Sequence, residues 1–526
     1  MLSLLNEIKI TQTGFLPDLI SDYLNSKETI SQLYKYPLSL SSFPDIIRDK
    51  AKDNTDRKLL VEVLREQYSN IETTDIVTRN IESFSSDKTF SVTTAHQPCL
   101  FLGPLYFLYK ISSVINLTQQ LKKEYPEYNF VPIFWLGSED HDLDELNHAY
   151  VNGKRIDWKD AGHGAVGRLK TYSLNTVINE LKQIAPNEEI ISILEAGLNM
   201  YRTFGKFTQY FINSIFKEQG LVVIDQDDVS LKKKFAGIIK DEVLNSRAIN
   251  VLKPQLDLLE SNYKLQAKPR DINFFYLGEN YRERIVYNDT ALKFEVHGTA
   301  VSFTKEELIK EIDNHPERFS PNVIFRPLYQ EMILPNLAFT GGAGELSYWL
   351  ELKSLFDHYN INYPMQVLRN SAFIIQPAIH KKMEKLGLTV EVFFEGVEQS
   401  INLYVKDNMN PESHLDGERM KLEELFSSIA IKAETADPTL KQSVAAEKQK
   451  ILASLENIES KIIKAEKRKQ ETSVAQIRAI HATLFPENTL QERRENFIPF
   501  YTTGFIAELV KHLIPLNETF VSFLNA

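Results

Sequence analysis

Residues 89–123, TFSVTTAHQPCLFLGPLYFLYKISSVINLTQQLKK, pass from a β-branched and aromatic run through a His-Gln-Pro turn into a helical pattern. Thr89 to Thr94 has the composition of a strand, and from Pro104 the apolar spacing is that of a helix. Proline suits a first helical position, and Gly103 before it permits a tight entry. The free N–H groups of such a helix start favour an anion, so His96 and Gln97 are expected beside a phosphate or carboxylate. The competing reading is a buried turn with a hydrogen-bonded histidine.

Working outward, the same strand-then-helix order recurs. NFVPIFWLG (129–137) leads to an acidic cluster, LVVID (221–225) to a helix, LPNLAFT (334–340) through GGAG to ELSYWLELKSLFDHY, and PMQVL (364–368) to RNSAFII. These runs lack two-residue alternation, as expected of strands buried on both faces of a parallel sheet. The predicted fold class is therefore α/β, with a doubly wound core. The core is expected over residues 1–376, opening with a mainly helical prelude (1–85) and interrupted by turn-rich insertions at about 150–175 and 265–320. Helices are expected over 377–489, and residues 490–526 are expected to pack back on the core. Within the helical part, Val444, Ile451, Leu455, Ile458, Ile462 and Ala465 fall on a and d positions of a heptad. Such a seam suits a homodimer zipper or an antiparallel hairpin with the helix around Met420 to Ile429.

Composition narrows the function classes. The chain has 526 residues and a net charge of 60 − 71 = −11, which disfavours a general nucleic-acid binder. A single cysteine, Cys99, rules out an intrachain disulfide framework and a multi-cysteine zinc site. No apolar run approaches the ~20 residues of a membrane span, and a cytoplasmic location is expected.

Ligands of open α/β sheets bind beyond the carboxyl ends of the strands. Four segments fall there: His96-Gln97; Ser138-Glu-Asp-His-Asp-Leu-Asp-Glu145; Thr340-Gly-Gly-Ala-Gly-Glu345; and Leu368-Arg-Asn-Ser371. The acidic cluster needs cations, hydrogen bonds or solvent to offset like-charge repulsion. The glycines let backbone approach a ligand, and Arg369 can neutralise an anion. Arg270, Arg282, Arg284 and Arg326 are further candidates for an anionic pocket. Cys99 is most simply a small buried residue.

HQPCLFLGPLYFLYK, VPIFWLGSEDHDLDEL, VIFRPLYQEMILPNLAFTGGAGELSYWLELK and LQERRENF, in that order along nearly the whole chain, resemble the bacillithiol biosynthesis cysteine-adding enzyme family, BshC. The resemblance implies a Rossmann-type core similar to that of class I aminoacyl-tRNA synthetases, with insertions and a C-terminal helical coiled coil associated with dimerisation. It further implies a ligase that joins L-cysteine to the amino group of glucosaminyl-malate, with ATP, accompanied by Mg, activating the cysteine carboxyl. No tightly bound metal, nucleic acid or membrane partner is expected. On this basis His96, Gln97, Asp140 and His141 are expected at the chemistry. Tyr106, Lys110, Glu139, Asp142, Arg326, Gln330, Glu345 and Tyr348 are expected around the substrates. Gly103, Gly341, Gly342, Gly344, Arg369, Asn370 and Ser371 are expected around the nucleotide. His96 stands where the synthetases carry their HIGH signature, without its second histidine, and there is no KMSKS lysine motif. His96 is therefore expected to position a phosphate or carboxylate rather than to act as sole acid or base. Two other readings remain at this point: a metal-assisted hydrolase built on the Glu139–Asp142 cluster with His96 or His148, and a non-enzymatic coiled-coil scaffold.

Overall fold

Five short runs rich in β-branched and apolar residues form one parallel sheet: Thr89–His96, Asn129–Leu136, Val222–Asp225, Asn336–Gly341 and Met365–Leu368. In the computed structural model, which describes residues 2–525, they lie side by side in the order fifth, fourth, first, second, third. That is the doubly wound order, with its reversal between the first and fourth strands, as expected from the uninterrupted apolar runs. Nearly every residue of the first and second strands is buried. Successive side chains point to opposite faces, so both faces are covered. The helix Tyr106–Glu124 packs against both of these strands, and Phe107, Leu108, Ile111 and Ile115 lie in the core.

The strands end at one level. His96 pairs with Leu136, Leu136 with Asp225, and Gly341 with Leu368. Polar loops thus leave the sheet together at its carboxyl edge.

The described residues fold as two compact units, 2–374 with 491–525, and 375–490. In the first unit, the segment between the second and third strands carries a hairpin, His148–Val151 with Lys154–Asp157, followed by three helices. Residues 274–321 supply a five-stranded sheet whose pairings are antiparallel. The prelude is not wholly helical: Leu2–Lys9 is a strand that pairs antiparallel with Thr519–Asn525. Only an edge partner from the far end of the chain gives this weakly patterned run its ladder. The second unit is helical among the described residues. Asp416–Ala436 and Leu440–Lys469 form an antiparallel hairpin, with Arg419 against Glu456 and Glu459 at one end and Lys441 against Glu434 at the other.

The segment after Leu490 is tied to the first unit through side chains. Arg369 donates from Nη1 and Nη2 to the Glu492 carboxylate at 3.1 and 2.8 Å, and Ser371 Oγ and Ala372 N donate to the same group. Arg369 is 5% and Glu492 1% exposed, so removal of one partner leaves the other charged without solvent. Glu492→Ala is expected to lower the unfolding free energy of the full chain by about 3–5 kcal/mol. Equilibrium denaturation checks this, and a loss below about 1 kcal/mol would contradict the burial argument.

Candidate active site

The residue following each of the five strands, Gln97, Gly137, Gln226, Gly342 and Arg369, lines one cleft of about 850 Å³. This is the place where neighbouring crossovers diverge, and its size is that of a small-molecule site. Seven basic side chains (Lys110, Lys268, Arg270, Arg282, Arg326, Arg369, Arg493) and three acidic ones (Asp140, Glu145, Glu345) face it. An excess of cations in a chain of net charge −11 marks a site for an anionic ligand.

Beside the reversal point, Lys110 Nζ donates to Ala95 O at 2.8 Å and lies 2.6 Å from Glu345, which in turn accepts from Gly342 N at 2.9 Å. The first strand, the helix after it and the glycine turn after the fourth strand are thereby fastened together. Burial would raise the Glu345 carboxyl, but the Lys110 charge outweighs it and holds the group below its usual range.

His96 Nδ1 lies 3.0 Å from Gln97 O and Nε2 3.0 Å from Tyr106 OH. A carbonyl can only accept, so Nδ1 carries the proton and Nε2 accepts from the tyrosine. Burial and the Lys110 charge push His96 down to about 4, so it is neutral at physiological pH with both nitrogens engaged. Gln97 Nε2 donates to Asp140 Oδ2 at 2.9 Å. Burial opposes ionisation of Asp140, but hydrogen bonding from His141 and the Arg282 charge win and hold it well below the carboxylate range. The cleft therefore contains a fixed anion as well as its cations. Burial pushes the Cys99 thiol up to about 12, which leaves it protonated.

Of the residues expected from sequence, His96, Gln97, Tyr106, Lys110, Asp140, Arg326, Gly342, Gly344, Glu345, Tyr348 and Arg369 line the cleft. Eight do not. Glu139 is fully buried in an ion pair with Lys232 and accepts from Gln226. His141 turns to Arg282, with Nδ1 3.0 Å from Nη1, and Asp142 is exposed to solvent. Gln330 is buried one layer behind Arg326. Gly103 packs toward Cys99 and its carbonyl accepts from Asn496, while Glu495 O takes the Leu105 N–H of the expected anion-binding turn. Gly341 remains inside its strand against Phe339 and Leu346. Asn370 is held by Ile514 O and Thr519 O, and Ser371 by Glu492.

Consecutive acids at a strand end thus diverge, so Glu139, Asp140, His141 and Asp142 do not form the convergent donor set that a metal-assisted hydrolase requires. His148, in its hairpin strand, is not a lining residue. Conversely, Gln226, Lys268, Asn322 and Arg493 line the cleft without having been expected there, while Glu145 was expected only as part of its acidic segment. Arg493 had a signal, since it lies in the LQERRENF block; the others had none beyond their neighbours.

Residues 4–370 match the family description "Bacillithiol biosynthesis BshC, N-terminal Rossmann-like domain", and residues 372–523 match its "C-terminal coiled-coil domain". The chain belongs to the BshC family of bacillithiol biosynthesis. Relatives carry the name "Putative cysteine ligase BshC". The one from Christiangramia forsetii is 40% identical and that from Flavobacterium psychrophilum 38%, each over 98% of both chains. The one from Bacillus cereus is 26% identical over 98% of both chains. A solved structure titled as an arginyl-tRNA synthetase from Campylobacter jejuni aligns at 9% identity with a TM-score of 0.20, over 84% of this chain and 100% of that one, which is too low to carry an argument. The described residues 491–523 cluster with the Rossmann-like unit in space although they fall in the second sequence domain.

The lowered His96 has a consequence for stability. Between its ordinary 6.5 and its folded value of about 4, the unfolded chain binds the extra proton, so stability is lost as pH falls through that window. His96→Gln is expected to flatten the dependence of unfolding free energy on pH between about 6.5 and 4. An unchanged slope would contradict the neutral, doubly hydrogen-bonded assignment.

Proposed function

We propose that the chain joins L-cysteine to the amino group of glucosaminyl-malate in the last step of bacillithiol biosynthesis, with ATP activating the cysteine carboxyl. The observation that carries this reading is the cation-rich cleft at the strand ends of a BshC-family chain. Glucosaminyl-malate brings two carboxylates and cysteine a third, and ATP brings phosphates, so each reactant offers an anion to such a cleft. ATP, when bound, supplies the adenylyl group that turns an unreactive carboxylate into an acyl donor. The fit of the lining to phosphate rests on Gly342, where an added Cβ would sit 3.6 Å from Arg369 Nε, a buried donor with no hydrogen-bond partner among the described residues. Arg270, Arg326 and Arg493 make no ion pair among the described residues, so their charges are free for carboxylates or phosphates.

The chain's own groups divide the remaining work. Arg326 receives a carboxylate, and the ionised Asp140 receives an ammonium. Gln97, held by Asp140, presents its amide at the edge of the cleft. His96 orients Gln97 and Tyr106, consistent with its two occupied nitrogens. The reading carries a cytoplasmic location with it, because ATP is a cytoplasmic reagent; no helix among the described residues is long and apolar enough to cross a membrane.

Incubation of the full chain with ATP, cysteine and glucosaminyl-malate is expected to yield the cysteine amide. Arg326→Gln is expected to raise KM for glucosaminyl-malate by about tenfold or more. Absence of product from active, folded protein would overturn the reading.

The homodimer belongs to the same reading. The hairpin leaves Leu425 54% and Ile458 50% exposed, and apolar surface of this kind on a coiled coil is covered by a second copy. Light scattering is expected to give a dimer mass, reduced to a monomer by Leu425→Glu combined with Ile458→Glu. A monomer before substitution would refute it.

A further inference from the structure

We propose that Glu331, acting through Gln330, fixes the guanidinium of Arg326 in the cleft and so is a positioning residue for the anionic substrate. Arg326 opens the helix Arg326–Ile333. Its situation differs from that of Lys110, Arg369 and Arg282. Lys110 is paired with Glu345, Arg369 with Glu492, and Arg282 lies 3.6 Å from Asp140. Arg326 is held only by neutral groups: Nη1 donates to Gln330 Oε1 at 3.0 Å, Nη2 to Tyr348 OH at 3.3 Å, and the guanidinium lies 5.8 Å from the centre of the Phe339 ring. A carboxylate in the place of Gln330 would neutralise the charge that a ligand needs. An amide holds the arginine and leaves its charge uncompensated.

An amide is two-ended, however, and reversed it would point an N–H donor at a group that only donates. Glu331 sets the direction. Its Oε1 accepts from Gln330 Nε2 at 2.8 Å and from Asn336 Nδ2 at 2.7 Å. Asn336 is oriented by the same carboxyl, which takes its Nδ2, and this leaves its Oδ1 to accept from Thr93 Oγ1 at 2.8 Å. Thr93 through Asn336, and Arg326 through Gln330, thus donate along two arms that converge on the single accepting oxygen Glu331 Oε1. Gln330 and Asn336 are 0% exposed and Glu331 1%, so no water competes for these bonds.

The chain of bonds also fixes where Arg326 stands. Thr93 belongs to the first core strand, three residues before His96, and Asn336 begins the fourth. The arginine is therefore registered to the two strands that flank the reversal point. Burial pushes Glu331 up to about 7, countered by the Lys50 charge and the two amides. A buried carboxylate so close to neutralisation is a poor choice for stability alone, and its other oxygen, Oε2, has no hydrogen-bond partner among the described residues.

The substrate arm of the test rests on the proposed glucosaminyl-malate site, so a second arm needs no substrate. Calorimetry of glucosaminyl-malate with the full chain is expected to show binding weakened on the order of tenfold by Arg326→Gln and likewise by Glu331→Met. The double variant is expected to bind no more weakly than Arg326→Gln alone, because Glu331 acts through Arg326. Losses that multiply would overturn the inference. In crystal structures, Glu331→Met is expected to release Arg326 from Tyr348 OH; an unmoved guanidinium would overturn the inference whatever the substrate. Gln330→Met serves in both arms if Glu331→Met does not fold, with the same expected outcomes. Failure of the unsubstituted chain to bind glucosaminyl-malate would count against the proposed substrate, and the crystallographic arm would still decide the relay.

Discussion

The common register of five parallel strands is the constraint from which the site follows. Each strand is buried on both faces, so a one-residue slip would exchange the side chains facing the two helical layers. The pairings His96 with Leu136, Leu136 with Asp225, and Gly341 with Leu368 bring the carboxyl ends to one level. Burial thereby keeps ionisable side chains out of the five strands except at their last residues and delivers them together where the strands stop. The cleft is the direct product: the five residues that leave the sheet all line it.

Charge is arranged within that frame by pairing some cations and sparing others. Arg369 is neutralised by Glu492, which fastens the segment after Leu490 to the last core strand. Lys110 is neutralised by Glu345 and joins the two sides of the reversal point. Arg326 is held by amide and hydroxyl oxygens and retains its charge. Buried ion pairs contribute modestly to stability after desolvation, so their clearer effect here is to fix geometry around a site whose free cations await an anion.

The core was legible because its five strands are short apolar runs followed by turn residues, a pattern that depends only on neighbours in sequence. Leu2–Lys9 was not legible, because its partner is the last strand of the chain and its own pattern is weak. The acidic segment shows the same limit at the scale of single residues. Its position at a strand end could be read, but not that Glu139 would turn inward to Lys232, Asp140 toward Gln97 and Asp142 to solvent. Gly103 shows a further limit. Its turn was recognisable, while the carbonyl of Glu495 that occupies the next helical N–H lies hundreds of residues away. Sequence thus located about half of the cleft wall, and tertiary pairing decided which side chains within each segment face the cleft.

A crystal structure of the full chain with glucosaminyl-malate and a non-hydrolysable ATP analogue tests the central claim most directly. The account predicts both molecules in the cleft between Gln97 and Gly342, with a malate carboxylate against Arg326. Ligands bound elsewhere, with this cleft left to solvent, would contradict it.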